Sequence, residues 1–237
     1  MKHALISAAL YAAAALCLSS CNFVSVDGSK LKGATGMQEP SEHYTTKTYD
    51  GLEPFTRLDI SMPAKVVYVQ SQRNFIEVNA PDNIVDHMVV TVSDSLLSVG
   101  LDGTKFRTYN KDITVTLSSA TLCGITANGA VDFRTEHGIT AESFTAEFNG
   151  AADVNMDSLN AGKVSLCING AADAKLHGLD CSALTVEVNG AGDCTIDGKV
   201  SGHADIAVHG AGDIDIRSLE VTDLDTSIKG AGRIRRK

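Results

Sequence analysis

Five aspartates occupy one position of a repeating unit: Asp132, Asp153, Asp173, Asp193 and Asp213, spaced by 21, 20, 20 and 20 residues. Carboxylates recurring at such an interval can stack about 5 Å apart on successive strands, where they repel one another and a divalent cation could bridge them. That would make the chain a calcium-binding solenoid. Nonapeptide calcium repeats, however, use Gly-Gly-x-Gly-x-Asp, which is absent here. Turn aspartates accepting backbone N–H groups account for the column equally well. Catalysis would need paired carboxylates, or one beside Arg or Lys, gathered where the repeat breaks. The candidates Arg134, Lys175, His177, His203 and His209 are instead spread along it. The chain has no Gly-x-Ser-x-Gly, phosphate loop or metal-binding histidine pair. No catalytic residue, enzyme activity or cofactor is therefore assigned.

Cys21 offers a different chemistry. Lys2, the apolar run Ala4 to Leu18 and the small residues after it form a secretory signal too short to span a membrane. Leu18-Ser19-Ser20-Cys21 resembles the lipobox of bacterial lipoproteins, in which the cysteine becomes the first residue and takes a diacylglycerol. Residues 1–20 are thus expected to be a lipoprotein signal peptide, with Cys21 the lipidation site. Two or three acyl chains would hold the protein firmly on a membrane. Asn22 stands where an inner-membrane lipoprotein would carry Asp, which favours the outer membrane, facing the periplasm or the cell surface. Residues 21–43, with Gly28, Gly33, Gly36 and Pro40, read as a flexible tether. Loss of Lys2 takes the net charge from −9 to −10, which argues against a nucleic-acid partner.

The aspartates belong to a longer motif. Asn128-Gly129-Ala130-Val131-Asp132 recurs at Asn149, Asn169 and Asn189, then with His209 and Lys229 in the first position. Gly129, Gly150, Gly170, Gly190, Gly210 and Gly230 share one column, read as the structural turn. Before the glycine, apolar residues alternate with polar ones, as in Phe144, Ala146, Phe148 and Val164, Leu166, Ile168. After it alternation resumes with Phe133, Val154, Ala174, Cys194 and Ile214. A period of two inside a period of about 20, with glycine in every unit, excludes helices and describes strand, turn, strand. The preceding Asn suits left-handed turn geometry or a stacked amide ladder. A second corner falls at Ser158-Leu159, Gly178-Leu179, Gly198-Lys199 and Ser218-Leu219, with the leucine turned inward. The fold class is all-β: a parallel β-helix, or solenoid, with about 20 residues per coil.

Residues 44–237 form one β-helix domain, with regular Gly-Ala-x-Asp repeats over 119–237 and irregular, capping coils over 44–118. Nine to ten coils would give a rod of roughly 45 Å. Arg233, Arg235, Arg236 and Lys237 on the last coil read as charges that discourage end-to-end stacking. Cys123 and Cys194 fall in inward columns, Cys167 in an outward one, and Cys181 near the second corner. No two share a column in successive coils, so buried thiols are expected in place of a disulfide ladder.

The lipobox, the start Phe55-x-x-Leu58-Asp59-Ile60 and the Asn-Gly-Ala-x-Asp blocks together resemble the auto-transporter adhesin "head GIN" domain family over about residues 44–235. The closest blocks are Gly190 to Asp193 and Gly210 to Asp213; Arg233 departs from the pattern. The resemblance implies a right-handed β-helix shaped like pectin-lyase-like proteins but lacking their catalytic residues, and a role in adhesion. The function expected is therefore a non-catalytic envelope lipoprotein that binds a glycan or protein ligand, or a second copy of itself. Outward columns such as Thr145, Ser165 and Thr185, beside Glu147 and Glu187, would be its binding faces. A polysaccharide-binding or polysaccharide-active β-helix is the alternative, by analogy of fold.

Overall fold

The computed structural model describes residues 36–107 and 112–237. The signal peptide and Cys21 lie outside them. In chain order the elements are β1 (Met37–Gln38), β2 (Tyr44–Asp50), β3 (Arg57–Ile60), β4 (Ala64–Gln70), β5 (Phe75–Pro81), a helical turn (Asp82–Val85), β6 (Met88–Ser93), β7 (Leu96–Leu101), β8 (Lys105–Phe106) and β9 (Thr114–Ser119). There follow β10 (Gly124–Glu136), β11 (Ile139–Met156), β12 (Leu159–Ala191), β13 (Cys194–Gly210), β14 (Asp213–Asp215), β15 (Leu219–Gly230) and β16 (Arg233–Arg235).

From β10 onward every strand pairs parallel with the coil below it, like residue on like residue. Gly129 sits on Gly150 and Gly150 on Gly170; Gly190 sits on Gly210 and Gly210 on Gly230. This is a parallel β-solenoid of about six turns, some 20 residues apart. All six glycines have positive φ, between 125° and 151°, because the strand must bend sharply there while coils lie directly on one another. Inward columns fuse into one core in which Phe133, Val154, Ala174, Cys194 and Ile214 are each at most 1% exposed. Each large side chain so buried contributes roughly 1.5–3 kcal/mol. Leu159, Leu179 and Leu219 turn inward at the second corner.

Upstream, the layers follow a different order from the chain. β3 and β4 stack on β10, with Ser61-Met62-Pro63 replacing Asn128-Gly129-Ala130 at the corner. β7 and β9 form the next parallel layer. Beyond it β6 pairs with β7, β5 with β9, and β2 with β5, all antiparallel. The chain therefore lays down residues 57–70, builds the cap with 75–93, and inserts 96–119 between them before starting the regular coils. Irregular coils were expected throughout 44–118, but only these two layers are coils; the rest is an antiparallel cap. Alternation records that one face of a strand is buried and is identical for both directions of pairing. The tether also ends earlier than residue 43. β1 pairs with β8, Ser41 N–H donates to Asn83 Oδ1 at 2.9 Å, and Glu39 pairs with Arg107 at 3.2 Å.

The asparagine column is an amide ladder. Nδ2 of Asn149, Asn169 and Asn189 donates to Oδ1 of the residue one coil back, at 3.1, 2.9 and 3.0 Å, and His209 Nδ1 continues it at 3.0 Å from Asn189 Oδ1. None of these asparagines takes the left-handed conformation. Asn169→Ala removes two rungs and is expected to cost about 1–2 kcal/mol. An unchanged thermal midpoint would show that water replaces the ladder without loss.

Candidate binding groove

The corner that carries Gly-Ala-x-Asp is concave outside. Ala130, Ala151, Ala171 and Ala191 are exposed there, one per coil, and floor a groove of about 530 Å³. Lys65 and Asp112, paired at 3.2 Å, stand at one end. Asp132, Asp153 and Asp173 form a wall. The floor is smooth because each alanine follows a glycine whose own column leaves no room for a side chain, so only single methyl groups face the solvent. The repeat of exposed alanines was the sequence signal for this groove; what periodicity could not supply was the concavity of the corner.

Three of the aspartates, Asp173, Asp193 and Asp213, tie one coil to the next, and Asp132 pairs within its own strand. Asp132 receives Arg134 Nε at 2.8 Å and Nη2 at 3.2 Å. Asp173 Oδ1 accepts the N–H of Asp193 at 3.3 Å, and Asp193 Oδ1 that of Asp213 at 3.2 Å. Asp213 takes Arg233 at 3.2 Å and Arg235 at 2.8 Å. In register, Lys65 precedes Asp132 and Arg233 follows Asp213, so the acidic column runs between two cations. Among the described residues no three His, Cys, Asp or Glu side chains converge as a cation cage. The carboxylates proposed for calcium lie in a line, one per coil, whereas calcium needs six to eight oxygens around a point.

The other candidates do not gather either. His177 Nδ1 lies 2.6 Å from Asp197 Oδ2, His203 Nδ1 3.0 Å from Asp223 Oδ2, and His209 Nδ1 3.4 Å from Glu187 Oε1. The N–H of Gly178 and then His177 hold the Asp197 carboxyl below its ordinary value. These pairs lie in different columns and tie neighbouring coils together. Arg134 is engaged with Asp132, and Lys175 is exposed in the same column two coils on. Beside the polar column Thr145, Ser165 and Thr185, Glu147 accepts from Asn149 Nδ2 at 3.1 Å.

Cys167 lies in the outward column of Glu147 and Glu187 but is only 3% exposed. The longer side chains of Glu147 and Glu187, its neighbours in the stack, shade it, and its thiol lies 3.6 Å from Asn169 Oδ1. Cys123, expected inward, is half-buried instead, and Leu122 fills the core. The four cysteines form no disulfides with one another. Burial pushes the Cys194 thiol up to about 12, and burial and Asp180 push Cys181 up to about 11. Alkylation of the native protein at pH 8 should therefore modify Cys123 first and leave Cys181 and Cys194 unmodified until denaturation. Equal rates at all three would contradict this packing.

Comparison with known proteins places this geometry. A crystal structure of a "putative adhesin" from Bacteroides fragilis NCTC 9343 is 25% identical, covers 84% of this chain and 100% of its own, and superimposes with a TM-score of 0.68. A "putative lipid binding protein" from Parabacteroides distasonis ATCC 8503 is 16% identical over 85% and 99%, with a TM-score of 0.59. A "putative adhesin" from Parabacteroides merdae ATCC 43184 is 16% identical over 85% and 99%, with a TM-score of 0.55. The latter two share the fold. No match is found among curated proteins. The profile of one family covers residues 54–237, the whole solenoid with its inner cap, and the chain belongs to that family, "Putative auto-transporter adhesin, head GIN domain".

Proposed function

We propose that this protein is a non-catalytic binding module of the bacterial envelope, held to the outer membrane through lipidated Cys21, which seats an extended, uncharged glycan in the corner groove. The observation that carries this reading is the groove itself: exposed methyl groups repeat once per coil beside a parallel row of carboxylates. A sugar ring has an apolar C–H face and a rim of hydroxyl donors, which match such a floor and such a wall. The row of aspartates disfavours anionic glycans. A chain of sugars could engage several coils at once, gaining by repetition what a shallow groove lacks in depth.

Isothermal titration against neutral and acidic oligosaccharides tests the groove. Neutral oligomers should bind more tightly as they lengthen, and Ala171→Gln, which fills the middle of the floor at an exposed position, should abolish binding while leaving the far-UV spectrum unchanged. Binding that survives Ala171→Gln, or a panel with no binder, would sink the assignment. The anchor is tested separately: Cys21→Ala should release the protein from the membrane fraction and stop incorporation of labelled palmitate.

A further inference from the structure

The two ends of the solenoid are finished differently. At the first end the cap of β2, β5 and β6 and the helical turn covers the core, and Tyr68, Ile76, Val78 and Ile84 are all 0% exposed. At the other end nothing among the described residues lies on the last coil. β15 pairs on one side only, with β13, and β16 only with β14. The inward columns that stay below 4% exposure through four coils open here: Leu224 and Ile234 are half-buried, Thr226 is exposed, and Ile228 is 46% exposed. An edge strand of twelve residues over an open core is a ready template for another strand.

The charges on this edge do not exclude a partner. Arg233 and Arg235, expected to repel a stacked neighbour, turn back along the solenoid to Asp213. What remains along β15 is exposed Glu220 at its start, Asp223 and Asp225, which lie 3.0 and 3.9 Å from His203 and are still 73% and 80% exposed, and Lys229 at its end. We propose that β15 pairs antiparallel with β15 of a second copy, about a two-fold axis through Thr226, making a dimer joined at the open ends. In that register Asp223 faces Lys229 of the second copy, Leu224 faces Ile228, and Thr226 faces itself, and the two-fold repeats each contact. Directly opposed residues share a face in an antiparallel pair, so the charged pairs lie outside and the apolar pairs continue the core. Shifting the register by one residue would set inward residues against outward ones. Centring it on Asp225 would oppose that carboxylate to its own copy, and centring it on Ser227 would set Leu224 against Gly230. The register about Thr226 alone satisfies both faces. Residues 222–230 overlap in that register, and their ladder would supply about eight to ten hydrogen bonds, within the range a stable interface usually holds. Because the first end is capped, the contact closes as a dimer and does not propagate. This inference is independent of the groove and its ligand.

Sedimentation velocity and cysteine crosslinking of the full chain in mild detergent test it. The protein should sediment as a dimer, and Lys229→Asp should weaken the dimer by about tenfold or more through two repulsive pairs. The double variant Asp223→Lys/Lys229→Asp should restore it. Thr226→Cys should form an intersubunit disulfide on mild oxidation, since opposed residues have Cα atoms about 4.5–5.5 Å apart. Ser227→Cys, displaced along both strands, should not, and the parent protein serves as the control for the native thiols. A monomer at all concentrations, a dimer indifferent to Lys229→Asp, no rescue by the double swap, or crosslinking through Ser227→Cys as strong as through Thr226→Cys would each overturn the proposal.

Discussion

Gly190→Ala is expected to destabilise the protein by about 3–5 kcal/mol, although it adds a single methyl group. Two costs add. Gly190 has φ +150°, a conformation that L side chains rarely adopt. A Cβ there would also stand 2.0 Å from the carbonyl oxygen of Gly170 and 2.9 Å from its carbon. Both obstacles are backbone atoms of the coil below, themselves fixed by the next coil, so neither can move aside without lengthening the ladder. For a domain of this size the thermal midpoint should fall by roughly 10 °C or more. Gly124→Ala is the control: it has no positive φ, and its nearest atoms would lie at 3.5 and 3.6 Å, so it should change the midpoint little. If Gly190→Ala melted with the parent protein, the tight stacking of the glycine column would be wrong.

Phe148→Ala is expected to cost a similar 3–5 kcal/mol for an unrelated reason. Its ring is 1% exposed and packs against Phe133, centroids 6.4 Å apart and planes at 51°. Removing it leaves a cavity between coils whose spacing is set by hydrogen bonds, so the walls cannot collapse to fill it. Val89→Ala on β6, where the side chain is 42% exposed, should change stability by less than about 0.5 kcal/mol. Urea titration of both variants checks the contrast. A small effect at Phe148 would mean that the core is loosely packed.

How much of the candidate site could be read from the residues is uneven. The exposed alanines and the aspartates were visible as columns, and their division of labour was partly visible too: a turn aspartate accepting backbone N–H groups is what Asp173 and Asp193 do. That the same corner forms a groove was not visible, and binding was expected on the faces between. Whether a bend is concave or convex depends on how successive coils sit on one another. For Cys167, alternation correctly placed the side chain outside the core, but exposure also depends on the length of Glu147 and Glu187 above and below.

The sequence by itself determined the solenoid. A period of 20 residues superimposed on a period of two specifies both the coil and its inward face, since each column of identical residues is compatible only with its own copies stacked in register. It also determined where the glycines must stand, because their constraint comes from immediate neighbours. The tertiary structure decided everything that depends on which strand lies beside which: the antiparallel cap of residues 44–50 and 75–93, the insertion of 96–119 between that cap and the layer of 57–70, and the exposure of Leu224 and Ile228 at the uncovered end. Alternation is a local record of burial on one face. The direction, order and partner of a strand are set by backbone hydrogen bonds between distant residues, and these carry no side-chain signature.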